Sequence, residues 1–198
     1  MSKAIGITGS IASGKSQVSS YLINKGYTLY DADEITHHAY DKGTKVYEKV
    51  ISCFDCLDDN KNIDRKKLGQ IVFNDSSKKK VLEEIVHPYV IETMKKGIEE
   101  SDDDLVFLDI PLLYEAGLEY LCDKIIVVYC NREIQCERLM KRNNISESEA
   151  NHLIDLQMSL EEKKKRADFV IENNFSLEEL YDHIEKVVGE IRNEIIYE

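Results

Sequence analysis

The stretch "GSIASGKS" sets Gly9, Gly14, Lys15 and Ser16 at the spacing G-x-x-x-x-G-K-[ST]. Glycines let a backbone turn tightly enough for successive N–H groups to face phosphate oxygens. At this spacing the lysine reaches β- and γ-phosphates, and the serine hydroxyl holds a Mg²⁺. The chemistry is that of a phosphate cradle, with Lys15 and Ser16 as its active side chains.

Moving a phosphoryl group requires more than a cradle. An acceptor hydroxyl must lie in line with the γ-phosphate, beside a group that orients it or takes its proton. In "YDADE", Asp33 is the candidate, on condition that the strand before it neighbours the first strand. Asp31 reads as the cap of a helix that begins near residue 34. Arg138 and Arg142, one turn apart on one helix face, are candidates to compensate charge on the departing phosphoryl oxygens; the alternative is ordinary solvated helix charge. Cys53 and Cys56 form a C-x-x-C, yet no second pair or suitably spaced histidines complete a zinc site. Both are read as reduced packing residues, and Lys163–Lys165 and Asp102–Asp104 as short solvated charge runs.

These residues need elements to position them. "AIGIT" (4–8) is an apolar run of strand length, and residues 15–25 carry Val18, Leu22 and Tyr21 on one helical face. Strand, glycine loop and helix in that order put the anion site at a helix N-terminus. "YTLY" (27–30), "LVFLDI" (105–110), "KIIVVY" (124–129) and "DFVIEN" (168–173) read as further strands. Helical periodicity covers residues 44–54, 64–73 and 76–100, the last broken or bent at His87-Pro88. Asn131 is placed to cap a helix over 131–142; Ser146 with Glu149, and Ser176 with Glu179, form capping boxes. The last helix carries an apolar stripe of Leu177, Leu180, Ile184, Val187, Val188, Ile191 and Ile195, read as core. Alternating strands and helices predict an α/β fold, a parallel sheet covered by helices on both faces. Ligands of such sheets bind beyond the strands' carboxyl ends, where Gly9, Asp31, Asp33 and Asp109 are expected to converge.

The chain's 198 residues suffice for one domain with a full core and a small lid. A net charge of −12 argues against a nucleic-acid or membrane-binding face, though not against a small anionic ligand. The N-terminal apolar run is too short for a signal peptide, no stretch approaches a membrane span, and the cytoplasm is expected. The motifs argue against a switch GTPase: no glycine has an aspartate three residues before it, and Asn60-Lys61 is followed by Asn62-Ile63 rather than a guanine clamp.

The pieces "GITGSIASGKS", "YDADEITHHAYDKG", "IDRKKLGQIVFND", "LEEIVHPYV", "LDIPLLYEAGL", "RLMKR" and "ADFVIENN", in this order, resemble the dephospho-CoA kinase family along nearly the whole chain. The glycine loop is generic to P-loop proteins; Asp-Ala-Asp with "HPYV" and "PLLYE" is specific. The resemblance implies a P-loop NTPase-type sheet and transfer of the ATP γ-phosphate to the ribose 3′-hydroxyl of dephospho-CoA, with Mg²⁺. Asp33, Lys15 and Arg142 would be catalytic; Gly9, Ala12, Ser13, Gly14, Lys15, Ser16 and Gln17 would bind nucleotide. Ser16 would hold the metal, with Asp109 a second candidate carboxylate. ATP and dephospho-CoA are the partners expected, with no nucleic acid, membrane or obligatory protein partner. The implied single P-loop kinase domain divides into a core (about 1–33, 104–140 and 167–198), an acceptor-binding region (about 34–103) and a lid (about 141–166). Gln17 stands where threonine is usual, and Asn143 where an acidic residue is frequent. His87 either lines the acceptor site or stiffens the turn before Pro88. A shikimate-kinase-like enzyme, which would carry a glycine-rich acceptor loop where this chain has "IPLLYE", and a non-catalytic nucleotide sensor are the competing readings.

Overall fold

The apolar runs at 4–8, 105–109 and 125–129 become strand residues buried on both faces, whereas the strand at 169–172 is mostly half-buried. A computed structural model describes residues 2–73 and 75–197, and it divides the chain into two compact units. The first unit comprises Met1–Leu29 and Ser101–Glu198. Its strands include β1 (Lys3–Thr8), β3 (Leu105–Asp109), β4 (Lys124–Tyr129) and β5 (Phe169–Glu172), while β2 (Thr28–Asp31) starts at its boundary. The sheet order is β2-β3-β1-β4-β5, and β1 pairs in parallel with both β3 and β4, as β4 does with β5. The condition placed on Asp33 therefore fails: β3, not β2, is the neighbour of β1.

One face of the sheet presents Ile5, Ile7, Phe107, Ile126 and Ile171 to Val18 and Leu22 of α1 (Lys15–Asn24). Leu180, Ile184, Val187, Val188 and Ile191 of α9 (Leu177–Tyr197) complete that core. The stripe of the last helix is core as expected except at its start, where Leu177 is exposed. Ser176 lies just before α9 and caps it, so Leu177 sits in a first turn that has not yet reached the sheet. On the other face, Gly6 leaves room for Cys122 and Leu113. The remaining helices of this unit are α6 (Arg132–Asn143), α7 (Glu147–Asp155) and α8 (Leu160–Arg166), the last packing on β4. Both capping boxes form, with Glu149 N donating to Ser146 at 3.3 Å and Glu179 N to Ser176 at 3.2 Å. Asn131 occupies the cap of α6, but its side chain instead accepts the Tyr129 hydroxyl at 3.3 Å.

The second unit, Tyr30–Glu100, is helical: α2 (Ala32–Ala39), α3 (Lys45–Cys53), α4 (Arg65–Phe73) and α5 (Ser76–Glu100). Helices α2, α3 and α4 all pack on α5, which buries Val86, Val90, Met94 and Gly97. Pro88 does not break it; the helix continues through. A proline costs about 3 kcal/mol inside a helix, and apolar contacts on both sides of Pro88 offset that cost. All five cysteines are free. Cys56 packs inside, whereas Cys53 is exposed at the end of α3, correcting its reading as a packing residue.

Candidate active site

The six residues between β1 and α1 form the loop expected of a phosphate cradle. Gly14 caps α1 with φ +92°, where a Cβ would also overlap the Asn173 side chain. At Gly9 a Cβ would lie 2.6 Å from Ser13 Oγ and 3.2 Å from the Val128 carbonyl, so neither position tolerates a side chain. Ala12 adopts φ +59°, a left-handed conformation rare for a residue with a Cβ. No side chain caps the start of α1, and its first turn carries no acidic residue. The Gln17 N–H is taken by the Gly14 carbonyl at 2.9 Å, while no side chain competes with an anion at the positive dipole end.

The loop is held from outside by residues that the sequence motifs do not assign to this role. Gln157 Oε1 accepts from Ser10 Oγ at 3.0 Å and Ile11 N at 2.9 Å. Gln135 Nε2 donates to the Ile11 carbonyl at 2.7 Å, and Asn173 Nδ2 to the Ser13 carbonyl at 2.9 Å. Lys163, expected among solvated charges, is fully buried and reaches the Gly9 carbonyl at 2.7 Å. A run of three lysines gives no local sign of which one the helix turns inward; Lys164 and Lys165 follow the expectation more closely.

Asp109, at the end of β3, is buried and pairs with the Lys15 ammonium, while its other oxygen accepts the Ser19 hydroxyl at 2.5 Å. Of the predicted residues, Gly9, Ala12, Ser13, Gly14, Lys15, Ser16, Gln17 and Asp109 thus gather in one place. Gln17 points toward Asn173, its Oε1 lying 3.5 Å from Asn173 Nδ2. Ser16 is exposed in the first turn of α1. Among the described residues no three His, Cys, Asp or Glu side chains cluster as a metal cage. The exposed Ser16 hydroxyl at the start of α1 suits Mg²⁺, which keeps waters and binds largely through substrate phosphates.

The two arginines part company. Arg142 is exposed, its Nε donating to Asn143 at 3.0 Å. Arg138 is half-buried, with one guanidinium nitrogen 3.4 Å from Asn173 Oδ1. It reaches the loop through Asn173 and is no ordinary solvated charge. Burial pushes the thiols of Cys130 and Cys122 up, the latter to about 12, so neither is a nucleophile at neutral pH.

In the second unit, Asp31 caps α2 as expected, its Oδ1 accepting from Asp33 N at 2.7 Å and Glu34 N at 3.3 Å. Asp33 stands in the first turn of α2 with its side chain exposed. At the other end of α2, Arg65 donates to the His37 carbonyl at 2.9 Å and lies 5.7 Å from the Tyr40 ring centre. His87 is exposed on the continuous α5, so there is no turn for it to stiffen.

A parallel sheet with a helix free of any side-chain cap behind a G-x-x-x-x-G-K-S loop, and a buried carboxylate on the loop lysine, defines a P-loop nucleotide-binding fold. The family model described as dephospho-CoA kinase matches residues 3–179. The dephospho-CoA kinase of Fusobacterium nucleatum is 46% identical over 184 residues, covering 92% of this chain and 95% of that protein. A structure titled dephospho-CoA kinase from Campylobacter jejuni superposes with a TM-score of 0.73 at 36% identity, covering 96% of this chain and 98% of the other. TT1252 from Thermus thermophilus superposes at 0.82 with 35% identity, covering 96% and 97%. The chain belongs to the dephospho-CoA kinase family.

Proposed function

We propose that this protein transfers the γ-phosphoryl group of ATP to the ribose 3′-hydroxyl of dephospho-CoA, giving coenzyme A and ADP. Family membership supplies the reaction; the observation that carries it to these residues is the preformed phosphate loop with Lys15 anchored on Asp109. Lys15 would draw charge from the β- and γ-phosphates, and the N–H groups at the start of α1 would bind phosphate oxygens. Ser16 would hold Mg²⁺, which when bound neutralises charge on the phosphates. Asp109 more directly sets the position of Lys15.

Asp33 is the proposed acceptor-side carboxylate. Asp31 takes the capping role, and the Asp33 side chain is exposed in the first turn of α2. Arg142 is the proposed mobile cation, its exposure leaving it able to follow substrate. We assign residues 34–103 to acceptor binding and 141–166 to a lid on the same grounds of motif position. No helix among the described residues is long and apolar enough to cross a membrane. With five free cysteines, this supports a reducing, cytoplasmic setting. The test is ADP release in a coupled assay across dephospho-CoA, shikimate, nucleosides and gluconate. Release dependent on dephospho-CoA alone is expected; equal release without any acceptor would favour a nucleotide sensor or ATPase.

A further inference from the structure

The Lys163 side chain is completely buried, and its partners account for all three of its donors. Nζ donates to the Gly9 carbonyl at 2.7 Å and the Pro111 carbonyl at 3.1 Å, and pairs with Glu115 Oε1 at 3.0 Å. The Pro111 carbonyl also accepts Thr8 Oγ1 at 3.0 Å, and Glu115 Oε1 accepts Met158 N at 3.1 Å. One ammonium from α8 therefore ties the exit of β1 to the segment that follows β3.

An ammonium is a costly way to fill space. Burial pulls its pKa down, Glu115 opposes that, and the charge of Lys15 adds to the depression. Replacing a buried ion pair by apolar groups is often neutral or stabilising, so stability alone does not explain this choice of residue. The peptide group offers a reason. It is planar and trans, so its carbonyl and the next N–H point in opposite directions. Holding the Gly9 carbonyl against Lys163 turns the Ser10 N–H away from α8. The next residues are fixed in turn by Gln157 and Gln135.

We propose that Lys163 is a positioning residue for the phosphate loop: it locks the Gly9–Ser10 peptide against the segment after β3 and keeps a fixed positive charge behind the cradle. Nucleotide then meets a loop already in its binding conformation. The inference rests on the ATP-dependent reading of the loop. Lys163 itself touches no reacting atom in this account.

The experiment compares wild type, Lys163→Met and Lys163→Arg by ADP titration calorimetry, steady-state kinetics against each substrate, and thermal unfolding. Lys163→Met is expected to weaken ADP binding and raise the ATP KM by about tenfold or more, with the dephospho-CoA KM within about twofold. Lys163→Arg, which keeps the charge and several donors, is expected to recover most of the loss. A folded Lys163→Met protein with lowered Tm but wild-type ADP affinity and ATP KM would overturn the proposal, as would failure of arginine to recover nucleotide affinity. Should the methionine variant not fold, Glu115→Ala removes the brace from its more exposed side. A rise of about threefold in ATP KM then supports the proposal, and an unchanged value overturns it. Wild type that binds ADP but shows no dephospho-CoA-dependent turnover would sink the functional reading and leave the calorimetric test of Lys163 intact.

Discussion

The Lys15 ammonium rests on the Asp109 carboxylate, and Ser19, one helical turn beyond Lys15, hydrogen-bonds the same carboxylate at 2.5 Å. The carboxylate side chain is 2% exposed and the lysine side chain 16%. A strand end and a helix face thus fix the long, flexible lysine where the loop opens. Orienting the charge beforehand lowers the reorganisation required at the transition state.

From this pair comes the first prediction. Lys15→Ala removes the cation from the β- and γ-phosphates, and turnover should fall by an amount equal to several kcal/mol, the usual size of such electrostatic terms. It also strands a buried carboxylate, so stability should fall by about 3 kcal/mol, the scale for breaking a buried pair. Adding Asp109→Asn should restore much of the Tm while activity stays lost. Calorimetric unfolding and single-turnover phosphoryl transfer separate the two effects; normal turnover in Lys15→Ala would contradict the cradle assignment.

A second prediction separates the arginines. Arg142 is exposed and bonded only to its neighbour among the contacts described, so Arg142→Ala should leave Tm unchanged. It should lower kcat more than it raises the ATP KM, because its charge matters most as the phosphoryl group departs. Arg138 is half-buried against Asn173, which holds the Ser13 carbonyl. Arg138→Ala should therefore lower Tm and weaken ATP binding together. The same small effect from both would show that neither acts on the nucleotide.

Acid sensitivity should come in part from the capping boxes. The Ser146 hydroxyl and then its backbone N–H hold the Glu149 carboxyl below its ordinary 4.5. At Glu179 the Ser176 backbone N–H, then the hydroxyl, does the same. A carboxylate depressed by folding contributes stability that is fully present above its unfolded pKa and lost as pH falls through the folded one. Unfolding temperature should therefore be insensitive to these groups at neutrality and decline below pH 4.5. In the double variant Glu149→Gln, Glu179→Gln that acid decline should be shallower; an identical slope would assign it to other carboxylates.

The phosphate loop was legible because its chemistry lies in consecutive residues: Gly9, Gly14, Lys15 and Ser16 announce both the turn and the ligand. The capping boxes were legible for the same reason. Lys163 was not, since "KKK" reads identically whether a helix faces water or a sheet; its burial follows from α8 packing on β4, a tertiary fact. For Asp109 the sequence offers only a second candidate carboxylate for the metal; its pairing with Lys15 follows from β3 lying beside β1, a tertiary fact. Local rules also lost to packing at Pro88, where the helix persisted, and at Asn131, whose side chain found Tyr129 before its own helix.

The decisive prediction concerns Asp33. Two aspartates flank Ala32, and Asp31 accepts from the backbone N–H groups of Asp33 and Glu34, closing the first turn of α2. A carboxylate spent on a cap is a poor candidate for the acceptor side, because its two hydrogen bonds to backbone N–H groups hold it against its own helix. Asp33 projects from that turn with its side chain exposed. Asp33→Asn keeps the size and one acceptor oxygen but removes the charge and the ability to take a proton. Both substrates should still bind, while kcat falls by the roughly 10²–10⁴-fold expected for a lost general base. A loose phosphoryl-transfer transition state calls for little proton removal, so a loss nearer the lower end would mark Asp33 as an orienting group. Asp31→Ala is the control; it should cost about 1 kcal/mol of stability through the cap and affect kcat only mildly. Full activity in Asp33→Asn, or a greater catalytic loss at Asp31 than at Asp33, would move the acceptor-side role away from this residue.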